Sequence, residues 1–372
     1  MKFIVFSVLS VLAITGLAST TKEMNRALDS LTKLLPFLTH EERFLDKKSD
    51  AIIKTQMTEL NRAFKGAKHE AMLKNDLFAP SYALVVESLD EANRAFAKGQ
   101  KDYAFWRLKE ITNFCVDCHT RMPEEFASSF QNGELRLNEK DFENAYTLGV
   151  SYLIVRRYPD AKAAFQRTIA DSLVTKTYTH TLDALKQTLL IDVKVQKNFE
   201  NLEAEIKAYL AKDLPADIDR KLEHWLKRVP AWKNDPALKG ISDEKALTGF
   251  IQKKLLPLRK STVSLGHYDV DLLVASGLLA NYLFLNPQSP QAADVSFWLG
   301  WGEKHLKREN FFSTGNHFFK QCIRRYPKSA IAKSCFEEYK ESVEFDFTGS
   351  AGTQIPADIQ RELKDLEKLI KN

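Results

Sequence analysis

Cysteine is scarce in this chain, with four in 372 residues, so a disulfide framework cannot be what holds it together. Glycine and proline are also sparse, at 14 and 12, against 44% hydrophobic and 28% charged residues. That balance excludes a low-complexity or disordered chain and points to helix. Charge of one sign is lacking too. The 54 Lys and Arg stand among 49 Asp and Glu, and the net +5 is spread along the chain as solvated helix faces. A concentrated basic surface for nucleic acid is therefore not expected. Beyond the first residues there is no apolar run long enough to cross ~30 Å of hydrocarbon. No nucleophile motif, phosphate loop or recognisable Asp/Glu pair occurs, so hydrolase or transferase chemistry has no support and the chain is not expected to be an enzyme.

What is present begins with MKFIVFSVLSVLAITGLAST, a lone Lys2 followed by an apolar run from Phe3 to Leu17 and small residues at Gly16, Ala18 and Ser19. This is the pattern of a secretory signal peptide, residues 1–18, cleaved after Ala18. No cysteine follows the run, so no lipid anchor is expected. The mature chain should be exported, most simply to the periplasm, with no integral membrane segment, and should meet an oxidising compartment.

From Thr21 to Pro123 the apolar spacing predicts four amphipathic helices. Met24, Leu28, Leu31, Leu35 and Leu38 share one face, with Pro36 expected to end or bend that helix before its last member. Thr39 and Glu42 form a capping-box pattern for the next start, with Ser49 or Asp50 as a second cap. Ile53, Met57, Leu60 and Phe64 give the second stripe. Tyr82, Val85 or Val86, Leu89, Ala92 and Phe96 give the third, closed by Gly99. The fourth carries Ala104, Leu108, Ile111, Cys115 and Cys118 inward and stops at Pro123. An antiparallel four-helix bundle buries four such stripes most simply.

On that last helix stands ITNFCVDCHTRMP, residues 111–123, with two of the four cysteines. Cys115, Cys118 and His119 project from one side of a helix and can converge on one buried group. Three chemistries compete for them. In covalent haem attachment two thiols at this spacing add to the two vinyl groups of one porphyrin edge and the adjacent imidazole reaches the iron. Structural zinc wants four ligands, and Cys322 and Cys335 are distant and differently spaced. A thioredoxin-type redox pair wants a strand before it and a helix beginning at the first cysteine. A chance C-x-x-C-H would occur in about one in a thousand such chains. Its place in an exported helical chain favours one covalently attached haem c. A single such motif disfavours a multihaem enzyme.

On the order of the helices and the place of CVDCH near the end of the fourth, residues 19–128 resemble the four-helix-bundle cytochromes of the cytochrome c-prime type. The resemblance implies a haem packed inside the bundle, thioether bonds from Cys115 and Cys118, and His119 as proximal iron ligand. In that family a first-helix residue forms the distal side, often a leucine that leaves iron five-coordinate or a methionine that ligates it. Here Met24 is the distal candidate; read from the residues alone it serves equally as core filler. Met57 is similarly placed, whereas His69 and Met72 fall in a loop.

After the polar stretch SSFQNGE, residues 142–172 (FENAYTLGVSYLIVRRYPDAKAAFQRTIADS) resemble a tetratricopeptide repeat. Leu148, Gly149 and Tyr152 match its first helix and Ala161 and Phe165 its second, while the closing proline is replaced by Leu173. Weaker copies occur at Gly315, Phe319, Cys322 and Pro327, after VSFWLGWGEKHLKR, and around Ala275, Leu279 and Pro287. The stretch 180–260, with Trp225 and Trp232, is helical but off pattern. Residues 134–345 are thus expected to form a degenerate helical-pair solenoid that binds a segment of another protein. Cys322 and Cys335 can form a disulfide between adjacent helices or remain two buried thiols. His224, His305 and His317 show no paired metal spacing. In the tail, 346–372, Asp358 starts a charged helix with Ile359, Leu363, Leu366 and Ile370 on one face.

The fold class expected is all-α. The leading functional reading is a single-haem c-type cytochrome, with a redox partner docked through the repeats. A haem-based binder or sensor of diatomic gases, and a repeat scaffold with a structural haem, are the alternatives. Oligomeric state, redox potential and the sixth iron ligand are not legible.

Overall fold

The computed structural model describes residues 22–67, 73, 75–121, 137–261, 267–306, 314–350 and 352–371. The leader and Pro123 lie outside these residues, as do His69 and Met72. The fold is all-α: among the described residues the one sheet is a two-residue antiparallel ladder, Thr348–Gly349 with Gly352–Thr353. No described helix is long and apolar enough to cross a membrane. The chain divides into two compact units, 1–188 and 189–372.

In the first unit, helix α1 covers residues 22–38 and α2 covers Glu41–Leu45; α3 is Asp50–Gly66, α4 Ala79–Ala97 and α5 Lys101–Arg121. The expected stripes are buried: Leu31, Leu35 and Leu38 on α1, Ile53, Met57, Leu60 and Phe64 on α3, Val85, Leu89, Ala92 and Phe96 on α4. Met24 and Leu28 are only half-buried; Ala27 and Leu34 take their place in the core of α1.

Two local readings are corrected. Helix α1 continues through Pro36 to Leu38 and does not end before its last member; the missing N–H removes one helical bond, that to the Thr32 carbonyl. The Thr39 hydroxyl bonds back to Leu35 O and does not cap the next helix, whose N-cap is His40 with no side-chain bond. Gly99 closes α4 as expected, at φ 76°, with Gln100 N–H donating to Ala95 O.

Helices α3 and α4 pack together, α4 packs along α5, and α2 lies on α5. Further helices of this unit are α6 (Ala145–Ile154) and α7 (Tyr158–Thr175). A capping box opens α6: Asn144 Oδ1 accepts from Thr147 N, and Asn144 N donates to Thr147 Oγ1. Pro159 stands in the first turn of α7, where its missing N–H is harmless. A Cβ on Gly149 would meet Phe165 Cε1 at 2.6 Å, so the two helices can approach this closely only at glycine. Helix α6 also packs against α5. Helix α8, Thr181–Leu190, runs to the end of the unit and beyond.

The second unit opens with a π-helical turn, Ile191–Val195, followed by α9 (Phe199–Leu210) and α10 (Ala216–Lys233). Then come α11 (Glu244–Phe250), a second π turn (Ile251–Leu255) and the short α12 (Leu256–Arg259). Helices α13 (Asp269–Leu285), α14 (Ala292–His305), α15 (Thr314–Arg325) and α16 (Ala332–Asp346) pack each on the next, and α17 (Ala357–Lys371) lies on α15 and α16. Gly300 on α14 faces Phe319 on α15 at 2.7 Å from an added Cβ, repeating the Gly149–Phe165 contact. Leu366 is the buried residue of α17, with Ile359, Leu363 and Ile370 half-buried.

Gly149→Ala should lower stability by about 1–3 kcal/mol, since the added methyl must displace a fully buried Phe165 ring. Denaturant unfolding of the full chain measures this. A midpoint equal to that of the natural chain would show that α6 and α7 do not depend on the contact.

Candidate functional site

Cys115, Cys118 and His119 lie on the last turns of α5. Over the first half of this helix the buried residues keep to a stripe, Ala104, Phe105, Leu108, Ile111 and Thr112. Near the motif burial spreads around the helix, to Phe114, Cys115, Val116, Asp117, Thr120 and Arg121. The motif is therefore enclosed on more than the one side an amphipathic helix needs.

Part of that enclosure is the corner after α6. Arg156 N donates to Leu153 O at 3.1 Å and Arg157 N to Tyr152 O at 2.8 Å, the paired bonds of a Schellman ending. Arg156 occupies the left-handed position at φ 63°, where glycine is usual and another residue costs about 1–2 kcal/mol. The two bonds leave the Ile154 carbonyl for another donor. It accepts from His119 Nδ1 at 2.8 Å. A carbonyl can only accept, so the ring carries its proton on Nδ1 and the Nε2 lone pair is left for a ligand bond.

The electrostatics match. Burial pushes the His119 pKa down to about 4, the positive charge of Arg156 helps, and the bond to Ile154 O opposes. At neutral pH the imidazole is uncharged. Burial, with Cys118 beside it, pushes the Cys115 thiol up to about 12. Burial likewise raises Cys118 to about 11 against the pull of Arg121 and Arg156. Both sulfurs are therefore protonated, and they are not bonded to each other. Arg121 is itself buried; its Nη1 donates to Ser81 Oγ on α4 at 2.9 Å and its Nη2 lies 3.8 Å from Asp117 Oδ2.

The remaining predicted residues are placed as follows. Met24 is half-buried on α1, and Met57 is fully buried on α3. The Cys322 and Cys335 sulfurs are bonded to each other, joining α15 to α16, with S–S 2.09 Å. His224 stacks on His267 with ring centres 3.7 Å apart, His305 meets the edge of Trp301, and His317 is half-buried on α15. Among the described residues no three His, Cys, Asp or Glu side chains gather as ligands of a bare metal ion.

Ile154, Arg156, Arg121 and Ser81 were missed in the sequence. Ile154 acts through its backbone, so its side chain carries no signal. The RR doublet after the apolar run SYLIV was the available hint for Arg156.

No family model matches the chain, and the searches of curated proteins and of solved structures returned no match either.

One further carboxyl on α5 has a shifted pKa. Glu110 pairs with Arg107, whose Nε also lies 2.8 Å from Glu91 Oε2 as an ion pair. Burial lifts its pKa to about 7, with Glu91 and Glu87 adding to the rise and Arg107 opposing it. The folded chain thus holds a proton that an unfolded chain releases near the ordinary carboxylate value, and stability falls as pH rises from about 4.5 to about 7. Glu110→Gln should remove that part of the slope, so the variant gains on the natural chain at pH 8 relative to pH 5. Thermal unfolding at the two pH values tests it, and an equal difference at both would assign the slope elsewhere.

Proposed function

We propose that the protein is an exported single-haem c-type cytochrome that transfers electrons with a protein partner. The observation that carries the reading is C-x-x-C-H on one helix with its imidazole already held neutral, Nδ1–H to a backbone carbonyl and Nε2 left over. Such a second-shell bond fixes ring orientation and raises ligand basicity. In this reading the helices up to Arg121 form a cytochrome c-prime-like bundle, and the helical pairs after it form a tetratricopeptide-like solenoid that docks the partner.

The residues fit haem better than the alternatives. Zinc would require a fourth ligand beside Cys115, Cys118 and His119, and Cys322 and Cys335 are bonded to each other. A thioredoxin-type pair needs an exposed sulfur with a lowered pKa, whereas Cys115 is buried within a helix and both thiols are raised. When bound, haem supplies an iron that cycles between ferrous and ferric. Cys115 Sγ and Cys118 Sγ would hold it by thioether bonds, and His119 Nε2 would ligate it. The apolar side chains of Ile111, Phe114 and Val116, buried on the same helix, would help to keep water from it and so would bear on its potential. Met24 is the proposed distal ligand, and the Gly149–Phe165 and Gly300–Phe319 contacts support the repeat reading, each a small residue on one helix against an aromatic ring on the next.

Expressed with its leader in a host that matures c-type cytochromes, the chain should carry one haem that stays attached on a denaturing gel. Cys115→Ala with Cys118→Ala should abolish that attachment. A chain recovered without covalent haem sinks the proposal. Adding carbon monoxide to the ferrous protein should leave its spectrum unchanged at first, as a Met24–His119 pair predicts. An immediate change would move the function to gas binding and return Met24 to the core.

A further inference from the structure

The haem reading places the cofactor on α5, yet the group that orients its proximal ligand is not in the bundle helices. It lies at the end of α6, the first helix of the tetratricopeptide-like pair. Three observations converge on the corner 154–156. Its carbonyl holds the His119 ring at 2.8 Å. Its backbone accepts left-handed strain at Arg156, where glycine would be unstrained, so that the side chain is retained at a cost. And that side chain is turned inward: Arg156 is 3% exposed, an unusual place for a guanidinium at a helix end. Its charge acts on both His119 and Cys118.

We propose that the corner Ile154–Arg156 is the proximal positioning element of the haem ligand, the carbonyl fixing the His119 ring and the Arg156 guanidinium setting the charge beside the iron. This rests on the haem reading above and adds to it a physical link between the helical pair and the redox centre. A fixed cation favours the iron state of lower positive charge, so Arg156 raises the midpoint potential. The Nδ1–H bond strengthens the ligand's donation and favours ferric iron, so it lowers the potential. The corner thus holds two opposed controls within three residues. A partner that shifts α6 changes both.

Arg156→Gly removes the charge and at the same time relieves the backbone strain at φ 63°. In the full holoprotein it should keep covalent haem and lower the midpoint potential, and Arg156→Lys should restore most of the difference. The wild-type holoprotein tests the carbonyl without any substitution: the His119 Nδ1 proton should be protected from exchange with solvent in NMR spectra. An unchanged potential in Arg156→Gly, or a ring proton that exchanges as fast as one in water, overturns the proposal while leaving the haem reading intact. Absence of covalent haem from the wild-type chain overturns both. Should Arg156→Gly fail to fold, Arg156→Gln, which removes the charge and keeps most of the side chain's volume, carries the same potential measurement: a lowered midpoint supports the proposal and an unchanged one overturns it.

Discussion

The hydrogen bond from His119 to the Ile154 carbonyl organises the first unit, because three separate pieces of local structure must be right for it to form. Helix α5 must extend far enough to carry His119 beyond its apolar stripe. Helix α6 must end where it does, and its ending must leave one carbonyl unused. The Schellman bonds of Arg156 and Arg157 take the carbonyls of Leu153 and Tyr152 and pass over Ile154. An orphan acceptor at a helix end needs a partner when it is buried, and the half-buried imidazole supplies a donor. Each satisfies the other, so neither element can be moved by a turn without leaving the Ile154 carbonyl and the His119 ring unmatched.

What sets α6 in place is a constraint of volume. Gly149 lets the Phe165 ring approach to a distance that no Cβ would allow, and α7 is thereby locked against α6. The same device recurs between Gly300 and Phe319 in the second unit, where Gly315 O also crowds the glycine. In both pairs a large ring is fully buried against bare backbone, which fixes spacing and axial position together. Close approach of this kind turns a pair of short helices into a rigid piece, and in the first unit that rigidity is delivered to the end of α6.

Much of this was legible in the sequence, and the parts that were not share a cause. The stripes of α3 and α4 and the inward set of α5 were readable because burial on one face imposes the helical period. Gly149 and Phe165 were readable because a small residue and an aromatic at fixed spacing mark helix approach. The role of Ile154 was not, since a backbone carbonyl is common to every residue. Thr39 misled because its hydroxyl had two possible partners, and the carbonyl of the helix it ends won over the N–H groups of the helix it precedes. The second unit hid its polar interior for another reason. Trp225 and Trp232 on α10 donate to Asp269 and Asp271 on α13, and Arg228 binds Asp271 through two nitrogens. Partners some forty positions apart leave no local pattern.

Buried charge separates the two units by what it can do. In the second, Lys194 on a π-helical turn reaches Glu303, which also accepts from Ser276, and all three are enclosed. A buried ion pair of this kind seldom adds net stability over apolar side chains of equal volume, and its use is to fix which helices meet. In the first unit, Arg121 and Arg156 are buried beside two neutral thiols and a neutral imidazole. Those groups gain nothing from a cation in their neutral state; indeed Arg156 opposes protonation of His119. A guanidinium kept in low dielectric and in a strained backbone position acts most strongly on whatever charge changes nearby. In the haem reading proposed above, the group at the end of α5 whose charge would change is the iron that His119 would ligate.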